Sequence, residues 1–174
     1  MTRLARNGVS DLAAAHIISR SRLCFKNPVA TQSPMAGYSG KPLIQKLGIK
    51  PGSLAIVIHP PADYARLIGP LPSGTRFGKR MTTACDFVHF FTTDRKDLET
   101  FLKKARHNLA GTGMIWVSWP KKSAGIKTTV TEDIIRAAAL PLGFVDTKVC
   151  AVDDTWSGLK LMIRRENRIT KAKQ

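Results

Sequence analysis

Where a nucleotide-binding unit would carry glycines, this chain carries prolines. Residues 53–58 read as a buried strand after the turn Lys50-Pro51-Gly52, and His59-Pro60-Pro61-Ala62-Asp63-Tyr64 follows directly. Glycines at such a turn let the backbone approach a phosphate, and the next helix presents its amide donors. Two prolines remove two donors and fix two φ angles. The ordinary binding loop of a dinucleotide fold is therefore absent.

Other absences narrow the classes further. No apolar run is long enough to span a bilayer, so no membrane partner is expected. The three cysteines, Cys24, Cys85 and Cys150, are odd in number and far apart. That excludes a disulfide framework and the paired spacing of a zinc site, and it fits a reducing cytoplasm. No Gly-x-Ser-x-Gly, Walker loop or Cys–His pairing is present, and no cofactor or metal is called for.

Carboxylates are scarce, with 12 Asp and Glu against 28 Lys and Arg and a net charge of +16. Of that excess, +4 lies in residues 1–34, +4 in 164–174 and +8 between them. Basic ends bind polyanions weakly. No nucleic-acid-binding motif accompanies them, so nucleic acid is not the favoured partner.

What is present is regular. Residues 1–34 hold Arg3, Arg6, Arg20, Arg22 and Lys26 against Asp11, a composition like that of an organellar transit peptide or of a misplaced start. They are expected to lack a fixed fold, with Met35 as the start of the organised chain. A domain over 35–165 and a basic tail over 166–174 complete the organisation.

Leu43, Ile44, Leu47 and Ile49 suggest a short helix closed by Gly48. Asp63 to Ile68 suggests another, and Thr75 to Phe77 a brief strand. The run Cys85 to Phe91 suits a central strand buried on both faces. Asp94 is an N-cap candidate for a helix with the stripe Leu98, Phe101, Leu102, Ala105 and Leu109, stopped by a left-handed Gly111. Strand Met114 to Trp119 follows. Thr129 and Glu132 suggest a capping box for a helix ending near Pro141. Phe144 to Val152 and Leu159 to Arg164 form a hairpin linked by Asp153 to Gly158. The order predicts an α/β fold: a three-layer Rossmann-like sandwich with a mostly parallel sheet and a C-terminal antiparallel hairpin.

That layout resembles a truncated methyltransferase that uses S-adenosylmethionine. Those enzymes place an acidic and glycine-rich motif after strand one, where this chain has His59-Pro60-Pro61, so their cofactor binding does not carry over. More specifically, five segments resemble the uncharacterised bacterial family catalogued as domain of unknown function 3052. They are Gly37-Tyr38-Ser39-Gly40, Pro42-Leu43, Lys46 to Gly52, Trp116 to Lys122, and Val149 to Val152 with Trp156-Ser157-Gly158-Leu159. The resemblance spans residues 36–165. It implies a bacterial cytoplasmic protein, supports Met35 as the start, and brings no catalytic residues.

Ligands of open parallel sheets sit beyond the carboxyl ends of the strands. His59, Thr92-Thr93-Asp94 and Trp119-Pro120-Lys121-Lys122-Ser123 should meet there, with Trp156 and Ser157 near by. His59 is the histidine placed at that edge, and a general base there needs an orienting carboxylate such as Asp94. The bland alternative is a strand-end histidine held by hydrogen bonds. Trp119 with Lys121 and Lys122 would take a flat anion by stacking and charge pairing; otherwise Trp119 caps the core and the lysines are solvated. Trp116 should point to the other face. His89 is expected in the core and His107 on a polar helix side, while His16 falls in the amino-terminal extension. Asp153 and Asp154 are expected to cap turn amides rather than hold a metal. Tyr38 and Ser39 stand as a lid or as the first ordered residues.

The leading expectation is a Rossmann-like domain binding a small anionic ligand or a protein partner through Trp119, Lys121, Lys122, Trp156 and Ser157. A divergent transferase using His59 and the lysine loop comes second, and nucleic-acid binding through the basic ends third.

Overall fold

The computed structural model describes residues 41–168. The extension 1–34, Met35, Tyr38, Ser39 and the end of the basic tail lie outside the described residues.

Six strands form one sheet in the order β2-β1-β3-β4-β6-β5. They are β1 (Leu54–Ile58), β2 (Arg76–Phe77), β3 (Phe87–Phe91), β4 (Met114–Pro120), β5 (Phe144–Ala151) and β6 (Trp156–Ile163). β1 pairs in parallel with β2 and β3, and β3 with β4. β6 runs antiparallel to both β4 and β5, so it is the one reversed strand. The mostly parallel sheet with a terminal hairpin is thus observed.

Helices cover both faces. β3 is buried at all five positions because a parallel strand between two helical layers meets no water. One core lies under α3 (Arg95–Asn108) and α4 (Glu132–Ala139) and includes Phe90, Leu98, Leu102, Val117, Trp119, Ile135 and Leu161. The other lies under α1 (Leu43–Leu47) and α2 (Tyr64–Ile68) and includes Leu47, Tyr64, Phe87, Phe91 and Trp116. Alternate residues of β3 and β4 feed opposite cores, as the two-residue period requires. Trp116 and Trp119 accordingly point to opposite faces.

Local corrections have local causes. α3 stops at Asn108, and its cap Leu109 is extended at φ −90° and ψ 142°. Gly111 is not among the glycines with positive φ, so it is no left-handed stop. α4 is capped by Thr131, whose hydroxyl accepts from Ile134 N. Thr129 instead accepts from Arg95 N and donates its amide to Thr93 O, which ties the β4–α4 loop to the β3–α3 turn. Glu132 pairs with Arg136 rather than closing a capping box. β6 begins at Trp156, three residues before the expected Leu159. Asp153 makes the tighter turn, its Oδ1 accepting from Thr155 N at 2.8 Å and Trp156 N at 2.6 Å.

Candidate site at the strand carboxyl ends

From β1 the chain goes to β2 on one side, then crosses to β3 on the other. The carboxyl ends of β1 and β3 therefore flank the topological switch point, where open α/β sheets hold their ligands. His59 follows β1 there, and Thr92 and Thr93 follow β3.

His59 is the only non-glycine with positive φ among the described residues, at 52°. A side chain in the left-handed region costs about 1–2 kcal/mol. The conformation turns the imidazole across the end of the sheet, against the Phe90 ring with centroids 5.8 Å apart. Phe90 is itself stacked on Phe101 of α3 at 4.0 Å, so the floor under the histidine is rigid.

The carboxylate facing His59 is Asp97, not Asp94. His59 Nδ1 lies 3.6 Å from Asp97 Oδ2, and the two side chains are 65% and 43% exposed. That separation is a close contact, longer than a hydrogen bond. Asp97 Oδ2 is held in place by the Thr92 hydroxyl, which donates to it at 3.1 Å. Asp94 is committed to the helix: its Oδ1 accepts from Lys96 N at 2.7 Å and Asp97 N at 3.1 Å. An N-cap carboxylate turned toward its own amides cannot also orient an imidazole across the edge. The sequence signal for Asp97 was its place in the first turn of the helix leaving the switch strand.

The other expected site residues are placed as follows. Trp119 is only 9% exposed and packs into the α3/α4 core. Trp156 is half-buried on the opposite face, edge-on to Phe91 at 5.1 Å. The two indoles therefore do not form one stacking surface. Ser157 is in register with Trp119 on β6. Lys121 donates its ammonium to Asp153 O at 2.5 Å and its amide to Thr155 O at 2.7 Å, bracing the hairpin turn. Lys122 is exposed at the start of a short 3-10 turn.

His89 is buried in the sheet between Tyr64 and Ser118. Tyr64 Oη lies 3.0 Å from Nδ1, and Ser118 Oγ 2.8 Å from Nε2. Burial pushes its pKa down to about 3, so the ring is neutral, and burial also raises Tyr64. It is a satisfied core histidine. No group of three or more potential metal ligands occurs among the described residues. An open groove between α3 and α4 is lined by Arg95, Glu99, Lys103, Pro141 and Leu142, and His59 is not among its lining residues.

The parallel sheet with one reversed strand between β4 and β5, sandwiched by helices, defines a Rossmann-like fold of the methyltransferase layout. A solved S-adenosylmethionine-dependent methyltransferase from Aquifex aeolicus is similar at a TM-score of 0.53 and 11% identity, covering 70% of this chain and 87% of that one. A putative type 11 methyltransferase from Sulfolobus solfataricus is similar at a TM-score of 0.47 and 11% identity, covering 71% and 89%. No curated protein matches.

The family described as "Protein of unknown function (DUF3052)" matches residues 78–165, and the chain belongs to that family. The match starts at Gly78, so the segments at 37–52 lie outside it. S-adenosylmethionine does not fit the β1–α2 loop in the manner of the fold. Pro60 and Pro61 offer no amide donors, the His59 side chain occupies the end of the strand, and α2 is only five residues long.

Proposed function

We propose that this is a ligand-binding Rossmann-like domain that takes a small anionic ligand at the carboxyl ends of β1, β3 and β4. The observation that carries it is His59: strained, exposed, seated on a fixed aromatic floor and facing Asp97 at the switch point. Strain of this kind persists where the surroundings impose it, and it collects at ligand sites. Lys122 is the exposed lysine on the loop after β4, while the half-buried Lys121 braces the hairpin turn through Asp153 O. β1 and β4 are separated by β3, which puts their ends roughly 10 Å apart. A nucleotide or acyl phosphate spans that distance between an imidazole and an ammonium.

The test is thermal shift of the full chain with nucleotides, S-adenosylmethionine and acyl phosphates. At least one anion is expected to raise Tm by about 5 °C at saturating concentration. The shift should disappear in His59→Ala and shrink in Lys122→Ala. Absence of any shift in the wild type, or a shift surviving both substitutions, contradicts the proposal.

The His59–Asp97 contact also supports a second reading, a divergent transferase in which His59 accepts the proton of the attacking nucleophile. Turnover would then be lost in His59→Gln while ligand binding remained. Equal loss of both would leave only the binding role.

A further inference from the structure

Four lysines converge on the α1 side of the β5–β6 hairpin. Lys148 and Lys160 are direct cross-strand partners, so their side chains leave the same face of the sheet. That is also the face of Trp116, with which Lys160 is in register. α1 is pinned over it by Trp116 Nε1 donating to Leu47 O at 2.9 Å. Lys148 Nζ donates to Lys46 O at 2.9 Å, which brings the end of α1 and the following Lys50 beside the pair.

Like charges directly opposite one another destabilise an antiparallel pair. Among the described residues, none of the four forms an ion pair. Of the 12 Asp and Glu, only Asp11 lies outside the described residues, so the chain holds little more to neutralise the cluster. Partial burial and the ammonium groups of Lys148 and Lys50 lower the pKa of Lys160. A bound anion would lift that repulsion.

We infer that Lys46, Lys50, Lys148 and Lys160 form a docking surface for the phosphate backbone of a nucleic acid. Four cations exceed what one phosphate dianion can neutralise, whereas successive phosphodiesters supply one charge each. Lysines act as point charges that position a backbone without reading bases, so binding should be indifferent to sequence. The surface is distinct from the candidate site. Lys160 on β6 and Lys148 on β5 lie three and four strands from β1, roughly 14–19 Å across the sheet, and Lys50 stands at the other end of β1 from His59.

The experiment is fluorescence anisotropy of the full chain with a labelled single-stranded oligonucleotide across 50–200 mM salt. Lys50→Gln with Lys160→Gln should weaken binding about tenfold at the lowest salt and reduce the salt slope by about 1.5. The charge-matched pair Lys103→Gln with Lys104→Gln, on the exposed side of α3, should leave the slope unchanged. Removing Lys160 also removes the cross-strand repulsion, so the first pair should melt no lower than wild type, which separates lost binding from lost folding. Three results would overturn the inference: no oligonucleotide binding by the wild type, equal loss in both pairs, or lysine-dependent binding to phosphatidylserine vesicles alone.

Discussion

At the scale of single residues, His59 and His89 divide the work between exposure and burial. His59 adopts the left-handed conformation that glycine takes freely. His59→Gly should therefore be at least as stable as wild type in urea denaturation, and His59→Val less stable than the glycine variant by about 1–2 kcal/mol. Both should lose the anion-induced thermal shift. A glycine variant markedly less stable than wild type would show that the imidazole is there for packing.

His89 makes stability depend on pH. Its pKa falls from an ordinary 6.5 to about 3 on folding because burial penalises the charged ring. Below pH 6.5 the unfolded chain takes up a proton that the native ring refuses, so stability is lost as pH falls. Between pH 6.5 and 5 the loss from this group should be about 1.5–2 kcal/mol. His89→Gln keeps a donor and an acceptor without titrating and should flatten that slope; parallel slopes for the two proteins would contradict it. His59 was legible in the sequence because a strand end precedes a turn at one register only. Asp97 was not, because which carboxylate of a first helical turn faces outward depends on which one the cap consumes.

At the scale of elements, caps and close approaches set the edges of the site. Asp94→Ala leaves two amides of α3 without their acceptor and should cost about 1 kcal/mol by thermal denaturation. It should also weaken anion binding, since Asp97 rides on that first turn. Gly158 lies in β6 against Trp116: a Cβ there would stand 3.2 Å from the ring and 3.1 Å from a Val152 methyl. Trp116 is fully buried and hydrogen-bonded, so it cannot yield. Gly158→Val should destabilise by about 1–3 kcal/mol; an unchanged Tm would contradict that packing. The strands and long helices were readable because their apolar periods differ. The start of β6 was not, because Trp156-Ser157-Gly158 reads as a turn, and the glycine's reason lies in Trp116, on a different strand.

At the scale of the whole molecule, two cores back one sheet, and the two polar features lie on different strands, His59 at the end of β1 and the lysine pair across the sheet on β6 and β5. The layer order followed from strands alternating with helices. The lysine cluster did not, because cross-strand register is invisible until the hairpin turn is fixed at Asp153. No helix among the described residues is long and apolar enough to cross a membrane. The central claim, an anion seated at the His59 end, is tested most directly by NMR of the full chain titrated with whichever anion raises Tm most. The His59 ring signal and the amides of Thr93 to Asp97 should move together and saturate at the affinity seen by thermal shift. Those signals staying fixed, while resonances around Lys46, Lys148 and Lys160 or elsewhere move, would contradict it.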